Sequence, residues 1–507
     1  MDGHGRCTRK CKTSQYRVGN SVTLLGVGCA AYFLFTRALF HPGLIDGHDS
    51  MAYPARLVEF SRSGFPPLWA PDLSGGRGQP LFEFCPPLIY AVALPFWKLG
   101  AGLACSLQIA LVVLIAVGAL SVFGVGRQLG FSRWASLGAS VAWLWAPYQS
   151  IDLYVSVRMA EMSALCVAPL GLYALLAWPW PFAAFALALL PLAHNAIALL
   201  TFPVFIVISS SRGAGRCSPR ALAGAVGLSA YFWLPGLFEM QYVRPELLRT
   251  DFFDYHGHFI WFNQLVWGHW QFGYSPTGMD YSLGLPHIAL AIGGIVYAFR
   301  DRLRTSECSS SDTNRDAVLR QRHAAHDWRG LAWLALSRLR RGTPARTRLA
   351  FTFAAASIIG AFLALGYSAP IWDHIPILQY FQFPWRTLAL PGLFLPLLSL
   401  WAFEAMFHVK RGQVLIILTV ALLIAVNIQH AAPKDYIQLN DSWWTPANIA
   451  ASGYESTTRG EYQPRDDAAW SYLRGPTPVR RIGKIISLST LLGLLLAAIR
   501  KGEPPPS

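Results

Sequence analysis

The sequence predicts an all-α, polytopic helical membrane protein, and three observations carry that reading. Hydrophobic residues make up 53% of the 507 and charged residues only 14%, against roughly 25% charged in a soluble chain. Mean hydropathy is positive, at +0.35. Apolar runs recur from residue 18 to residue 499, each near the ~20 residues that cross a bilayer as a helix. A soluble enzyme, a DNA-binding protein and a secreted disulfide scaffold are excluded.

About twelve spans (range 10–13) are expected, at approximately 18–40, 103–125, 134–150, 160–178, 180–193, 195–209, 221–241, 284–299, 350–367, 388–407, 414–430 and 482–499. The stretch 180–209 is too long for one helix and too short for two ordinary ones, so it reads as a short pair hinged near His194 and Asn195. With the N-terminus inside, cytoplasmic segments hold 26 Lys+Arg against 8 Asp+Glu, and outer segments 16 against 19. That bias is the usual orientation signal. The net charge of +15 therefore reports topology, and no nucleic-acid partner is implied. Both termini are expected in the cytoplasm of a bacterial cell, with the working face outside the cytoplasmic membrane.

The chain divides accordingly. A basic tail (1–17) precedes a membrane domain (18–299) that carries a first outer loop (41–102). An Arg-rich cytoplasmic loop (300–349) leads to further spans (350–430), an outer loop (431–481), a last span (482–499) and a short tail (500–507). The first hydrophobic stretch follows Arg9, Lys10, Lys12 and Arg17 but is too long for a cleaved signal, so it reads as a retained anchor. The Arg-rich loop, with Ser309, Ser310 and Ser311, reads as a polar loop with one surface helix near 328–339 and contact with anionic lipid as a secondary role. Only Cys85 falls clearly outside, so no disulfide framework is expected.

Four outer segments are long: 41–102, 242–283, 368–387 and 431–481. Loops without function are mostly short, so a built surface is expected on that side. In the first outer loop Asp46 and Asp49 emerge within nine residues of the first span. A carboxylate there can take a proton from a hydroxyl or help hold a divalent cation. Alternatively, both cap a helix starting near Ser50. Residues 86–99 are apolar, short and Pro-bounded, as suits a helix lying in the outer interface.

Seven ordered motifs run from this loop almost to the end of the chain. They are Gly47–Tyr90, Ala146-Pro147-Tyr148, Asp152 through Arg158 to Glu161, His194–Leu200, Ala230–Pro235, Gln382–Arg386 and Thr457–Arg465. Together they resemble bacterial integral membrane proteins named as related to 6-pyruvoyl-tetrahydropterin synthase, within the GT-C-type superfamily of membrane glycosyltransferases. The resemblance implies no pterin synthase activity. It implies a GT-C-like fold that moves a sugar from a polyprenyl-phosphate-linked donor to an acceptor glycan, lipid or protein at the outer leaflet.

On that resemblance Asp49, with Asp46 second, matches the first-loop acid that activates the acceptor. Arg56, Arg158 and Arg386 become candidates for the donor phosphate, since Arg forks match phosphate oxygens. Each arginine could equally anchor at the interface or pair with a nearby acid. Glu161, three residues after Arg158 on one helical face, reads as its ion-pair partner or as a site for acceptor or metal. His194 at the hinge and Glu461 in the last motif are further polar candidates. Ten aromatics lie between Phe252 and Tyr274, readable as an interfacial belt or as a lid over a sugar. Two departures from the family pattern stand out. Tyr53 occupies the position of a common His, and about 15 residues (466–480) stand where many members carry a β-rich outer domain. A non-catalytic assembly factor of cell-envelope glycan synthesis and a lipid-linked saccharide flippase are the alternatives.

Overall fold

The computed structural model describes residues 5–210, 218–274, 277–310, 345–454 and 460–500. The expected surface helix near 328–339, most of the Arg-rich loop, the start of the Thr457–Arg465 motif and the tail from 501 lie outside the described residues. The chain is an all-α multi-pass membrane protein. Among the described residues, seven helices are long and apolar enough to cross a membrane, or eight if one bent pair counts as a span.

Labelled in chain order, the first half comprises α1 (Gly5–Thr36), α2 (Ala52–Arg62), α3 (Leu81–Phe84), α4 (Leu88–Lys98), α5 (Leu103–Gln128), α6 (Arg133–Leu144), α7 (Pro147–Ser150), α8 (Met159–Ala177), α9 (Trp180–Ala193) and α10 (Asn195–Ser210). The second half includes α11 (Ser218–Leu228), α12 (Ala230–Phe238), α13 (Phe262–Val266), α14 (Leu285–Ser310), α15 (Ala345–Ala364), α16 (Ala389–Phe407), α17 (Gly412–Asn427) and α18 (Pro478–Arg500), with short unlabelled helices at Ala369–His374, Pro376–Gln379, Pro446–Ala451 and Asp467–Arg474.

The core sits around α16 and α8. α16 packs against α6, α14 and α15, and α8 against α5 and α9. Gly138 lets α6 approach α16 closely, since a Cβ there would lie 2.7 Å from the Phe403 ring. α1, α17 and α18 are mostly exposed along their apolar faces, as lipid-facing helices are.

Two expected spans are corrected. The stretch 134–150 is not one helix: α6 stops at Leu144, and Ala146 is extended because Pro147 clashes with a helical residue before it. Proline then starts α7, where its missing N–H costs nothing, and a π-helical turn follows over Ile151–Val155. The stretch 221–241 bends by 66° between α11 and α12. Ser229 Oγ donates to Ala225 O at 2.9 Å, and the Tyr231 N–H freed by the bend donates to Ser487 Oγ of α18 at 2.9 Å. The expected short pair is observed as α9 and α10, broken at His194, whose backbone is extended. α4, at 11 residues, is too short to span.

The described parts of segments 41–102, 242–283, 368–387 and 431–481 meet on one face. β1 (Leu44–Ile45) pairs antiparallel with β2 (Tyr436–Ile437), with Leu44 opposite Ile437. Asp46 N donates to Asp435 O at 2.9 Å, and Asp49 N to Ser156 O at 3.1 Å. Arg77 reaches Asp467 at 2.7 Å, Arg465 reaches Glu246 at 3.0 Å, and Tyr255 OH donates to Asp373 at 2.5 Å. Asp441 caps α5 from across the fold by accepting from Leu103 N at 2.9 Å. Contacts at the opposite end stay there: Ser132 N donates to Glu404 at 2.8 Å, and Arg346 lies 4.5 Å over Phe131.

The acidic segment of the first loop is pinned by backbone, and glycine is required for it. A Cβ on Gly47 would collide with Val157 Cγ2 and stand 2.7 Å from Val155 O, whereas one on Gly64 would meet nothing within 4 Å. Gly47→Ala is therefore expected to cost about 1–3 kcal/mol by overpacking and to lower the thermal midpoint in detergent, with Gly64→Ala much closer to wild type. Equal midpoints for the two variants would contradict the pinned geometry.

Candidate functional site

Asp49 is exposed and Asp46 half-buried. Capping does not explain them, because the residue preceding α2 is Met51, with no side-chain cap bond. Ser50 Oγ instead donates to Ile45 O at 2.7 Å, tightening the turn that presents both acids. Neither carboxylate takes part in a hydrogen bond or ion pair with the described residues, while Asp49 acts electrostatically on Arg158. Between them, His48 stacks on Tyr274 with ring centroids 4.2 Å apart. Burial and the nearby Arg158 push the His48 imidazole below its ordinary value, so it is neutral at pH 7.

Behind this segment lies a buried ion network. Arg158, immediately before α8, places Nε and Nη2 on Asp152 Oδ1 at 2.9 and 2.6 Å. Its expected partner Glu161 is the second contact, at 3.5 Å. Glu161 Oε2 also meets Arg386 Nε at 3.2 Å and lies 4.0 Å from His194 Nε2, and its Oε1 accepts from Tyr148 OH at 2.5 Å. The Arg158 guanidinium lies 4.2 Å over Trp385, and that of Arg386 lies 4.8 Å over Phe383. Two guanidiniums thus face two carboxylates, both of which have side chains at 0% exposure. Arg386 spends Nη1 on Phe381 O (2.8 Å) and Gln382 Oε1 (3.1 Å). Its Nη2 has no partner among the described residues.

The turn at Ile151–Val155 makes this network possible. It loops Asp152 back so that Arg158 N donates to Asp152 O at 2.9 Å, with Val157 in the left-handed region at φ 51°. Pro384 opens the 3-10 turn that carries Arg386, and Gln382 before it is also left-handed, at φ 64°. Asn195, next to His194, ties the hinge to the first loop by donating to Phe84 O at 3.2 Å.

The other candidates lie beside the network. Arg56 hydrogen-bonds Tyr90 and lies 5.9 Å from the Tyr53 ring centre. Tyr53, where the family pattern has His, accepts from Ala160 N at 3.3 Å, at the start of α8. Glu461 is buried, and its field reaches Cys85, which Arg56 also senses. Tyr462 stacks on Phe84 at 5.0 Å and feels both Arg56 and Arg386. Residues dispersed from Asp49 to Glu461 are thereby gathered into one neighbourhood. Among the described residues no three His, Cys, Asp or Glu side chains form a metal-holding group.

The aromatic loop falls into an inward-facing and an outward-facing part. Tyr274, Phe252 and Phe383 line the way from His48 to the arginines, with Phe252 lying 6.2 Å from Tyr274 and 6.1 Å from Phe383. Trp261, Phe262 and Trp267 instead point outward. His256 fastens the loop to residues 369–374 by contacts to Asp254 (2.7 Å) and Asp373 (3.2 Å). The bond to Asp254 raises its pKa.

Sequence reasoning missed two buried groupings. Arg480 pairs with Glu83 and, at 3.3 Å, with Glu239, which also accepts from Thr477 Oγ1. Burial and Glu239 hold Glu83 well above the usual carboxylate range despite Arg480. His430 lies 3.4 Å from Asp280, which accepts from Ser282 N at 2.8 Å. Their one visible signal is an acid or base at the edge of an apolar run.

No protein-family model matches the chain, and no curated protein does. Among solved structures it is similar to the cryo-EM structure of arabinofuranosyltransferase AftD from Mycobacteria, at 16% identity over 84% of this chain and 27% of that one, with a TM-score of 0.45. Two classes of a mutant of that protein give 17% and 16% identity over 80% of this chain, with TM-scores of 0.44 and 0.46. The chain spans about a quarter of the length of these structures. Likeness at this level says nothing about chemistry.

Removing one member of a buried ion network leaves the others uncompensated. Glu161→Ala is expected to cost about 3–5 kcal/mol, and Glu161→Gln less, because it keeps an acceptor for Tyr148. Thermal unfolding in detergent checks this order, and an unshifted midpoint for Glu161→Ala would contradict it.

Proposed function

We propose that the chain is a GT-C-type membrane glycosyltransferase that moves a sugar from a polyprenyl-phosphate-linked donor to an acceptor outside the cytoplasmic membrane. One observation carries the reading: a carboxylate unused by the fold, on Asp49, lies within electrostatic reach of Arg158, whose buried network includes an Arg386 with Nη2 uncommitted. A general base and an anion-stabilising group side by side are what displacement of a lipid phosphate by a hydroxyl requires. The resemblance of the seven motifs points the same way.

In this mechanism Asp49 takes the proton of the acceptor hydroxyl as its oxygen bonds to the anomeric carbon. The bond from that carbon to the donor phosphate oxygen breaks, and the lipid phosphate leaves with the electron pair. Arg386, through Nη2, meets the departing negative charge, with Arg56 as the second cation. Arg158 is a positioning residue, because its guanidinium is committed to Asp152 and Glu161. Glu161 and Tyr148 hold Arg386 in orientation, and His194 completes the polar hinge. Asp46, three residues before Asp49, serves as a minor contributor to acceptor binding. Inversion at the anomeric carbon is what the resemblance implies.

General-base catalysis contributes about 10²–10⁴-fold. Asp49→Asn should lose transfer by that range with an unchanged thermal midpoint, measured with a synthetic polyprenyl-phosphate sugar and purified protein in nanodiscs. Wild-type turnover in Asp49→Asn would remove the base, while intact lipid translocation without transfer in either protein would favour the flippase.

A further inference from the structure

The loop-bearing face carries an apolar rim that the proposed chemistry does not use. Trp261, Phe262 and Trp267 are 63%, 65% and 63% exposed, and Tyr367 is 72% exposed. They belong to one surface, because Ile260 and Leu365 form a parallel bridge in which Ile260 N donates to Ala364 O at 3.0 Å. Ile371, Ile375 and Ile377 extend it along the turns at 369–374 and 376–379.

This rim continues the exposed apolar side of α15, a helix long and apolar enough to cross a membrane. α15 exposes Ile358, Ile359 and Phe362 on the side that faces the bilayer, and Tyr367 follows one turn after its end. No charged side chain occurs from Phe259 to Trp267. Asp373, the acid of the second segment, is turned the other way, onto Tyr255 and His256.

A cation lies behind the apolar edge. Arg249 donates from Nη1 to Gln379 Oε1 at 3.3 Å and lies 4.8 Å over the Tyr380 ring, next to Ile375 and Ile377 in the chain. It forms no ion pair with the described residues, and its Nε is buried without a hydrogen-bond partner. Aromatic rings flanked by an arginine with no acidic partner suit the boundary between acyl chains and phosphate headgroups.

We infer that the segments 260–267 and 367–377 form a platform seated in the outer-leaflet phospholipid monolayer, with Arg249 meeting headgroup phosphate. The inference stands independently of the glycosyltransferase reading. It fixes the depth of the neighbouring arginine network, because Gln379 and Gln382 link Arg249 to Arg386 within one short segment. Whatever anionic ligand Arg386 takes would then approach along the headgroup layer.

Bromolipid quenching tests the platform. The full chain is reconstituted in nanodiscs of phosphatidylcholine and phosphatidylglycerol, with acyl chains either plain or dibrominated near the headgroup end. Emission of wild type minus that of a Trp261→Phe/Trp267→Phe variant isolates the two rings. Seated about 5–10 Å into the boundary, they should lose more than half of that difference emission in brominated discs. Adding Ile377→Trp to the variant should restore quenchable emission. Difference emission unaffected by bromine but quenched by aqueous acrylamide would overturn the proposal, and so would emission shielded from both, which would mean a protein partner. Native mass spectrometry of Arg249→Gln should show fewer retained phospholipids than wild type; equal retention would remove Arg249 from the platform.

Discussion

The loop-bearing face depends on the ion network of Asp152, Arg158, Glu161 and Arg386. Four charges removed from water are tolerable only because they balance in sign and share hydrogen bonds, two guanidiniums against two carboxylates. Balance makes the network rigid but not especially stabilising, since apolar residues of similar volume would fill the space at less cost. Ionisable groups kept buried in a chain that crosses the membrane are a reason to look for function there. The network also joins the turn after α7 and the adjoining start of α8 to the distant 3-10 turn before α16. Arg386 is thereby held through Nε and Nη1, with Nη2 open.

Around that fixed centre the other elements act as brackets. The short pair α9 and α10 brings His194 and Asn195 up to the first loop, and the β1–β2 pair ties the same loop to the segment after α17. Asp49 is held by its main chain alone, which leaves its carboxylate uncommitted. A side chain that the fold does not use, at a position the backbone fixes closely, is well suited to chemistry. The buried Glu83–Glu239–Arg480 grouping secures the last helix to that loop.

The fold class was legible because composition and run length decide it, and the hinge at His194 was legible because 180–209 suits neither one span nor two. The break in 134–150 was also written locally, in Pro147, yet the apolar character of Trp143 and Trp145 concealed it. Arg158 and Glu161 were readable as neighbours from their i,i+3 spacing. The primary partner of Arg158 is nevertheless Asp152, six residues back, because a π-helical turn and a left-handed Val157 return the chain on itself. No periodicity signals such a turn. Arg480 and Glu83 are 397 positions apart, and Arg249 acquires its place only from the 376–379 turn. Sequence identifies residues with chemical capacity, whereas the pairing of buried charges is a property of the packed whole.

The account turns on whether the open edge of Arg386 receives a lipid phosphate. Native mass spectrometry of the protein released from gentle detergent, compared with Arg386→Gln, tests this most directly. The account predicts a retained polyprenyl-phosphate species bearing a defined sugar mass in wild type, and its depletion by about tenfold or more in Arg386→Gln, the loss of one charge-assisted contact. Bulk phospholipid alone in both proteins, across several detergents, would contradict it and favour a non-catalytic assembly factor.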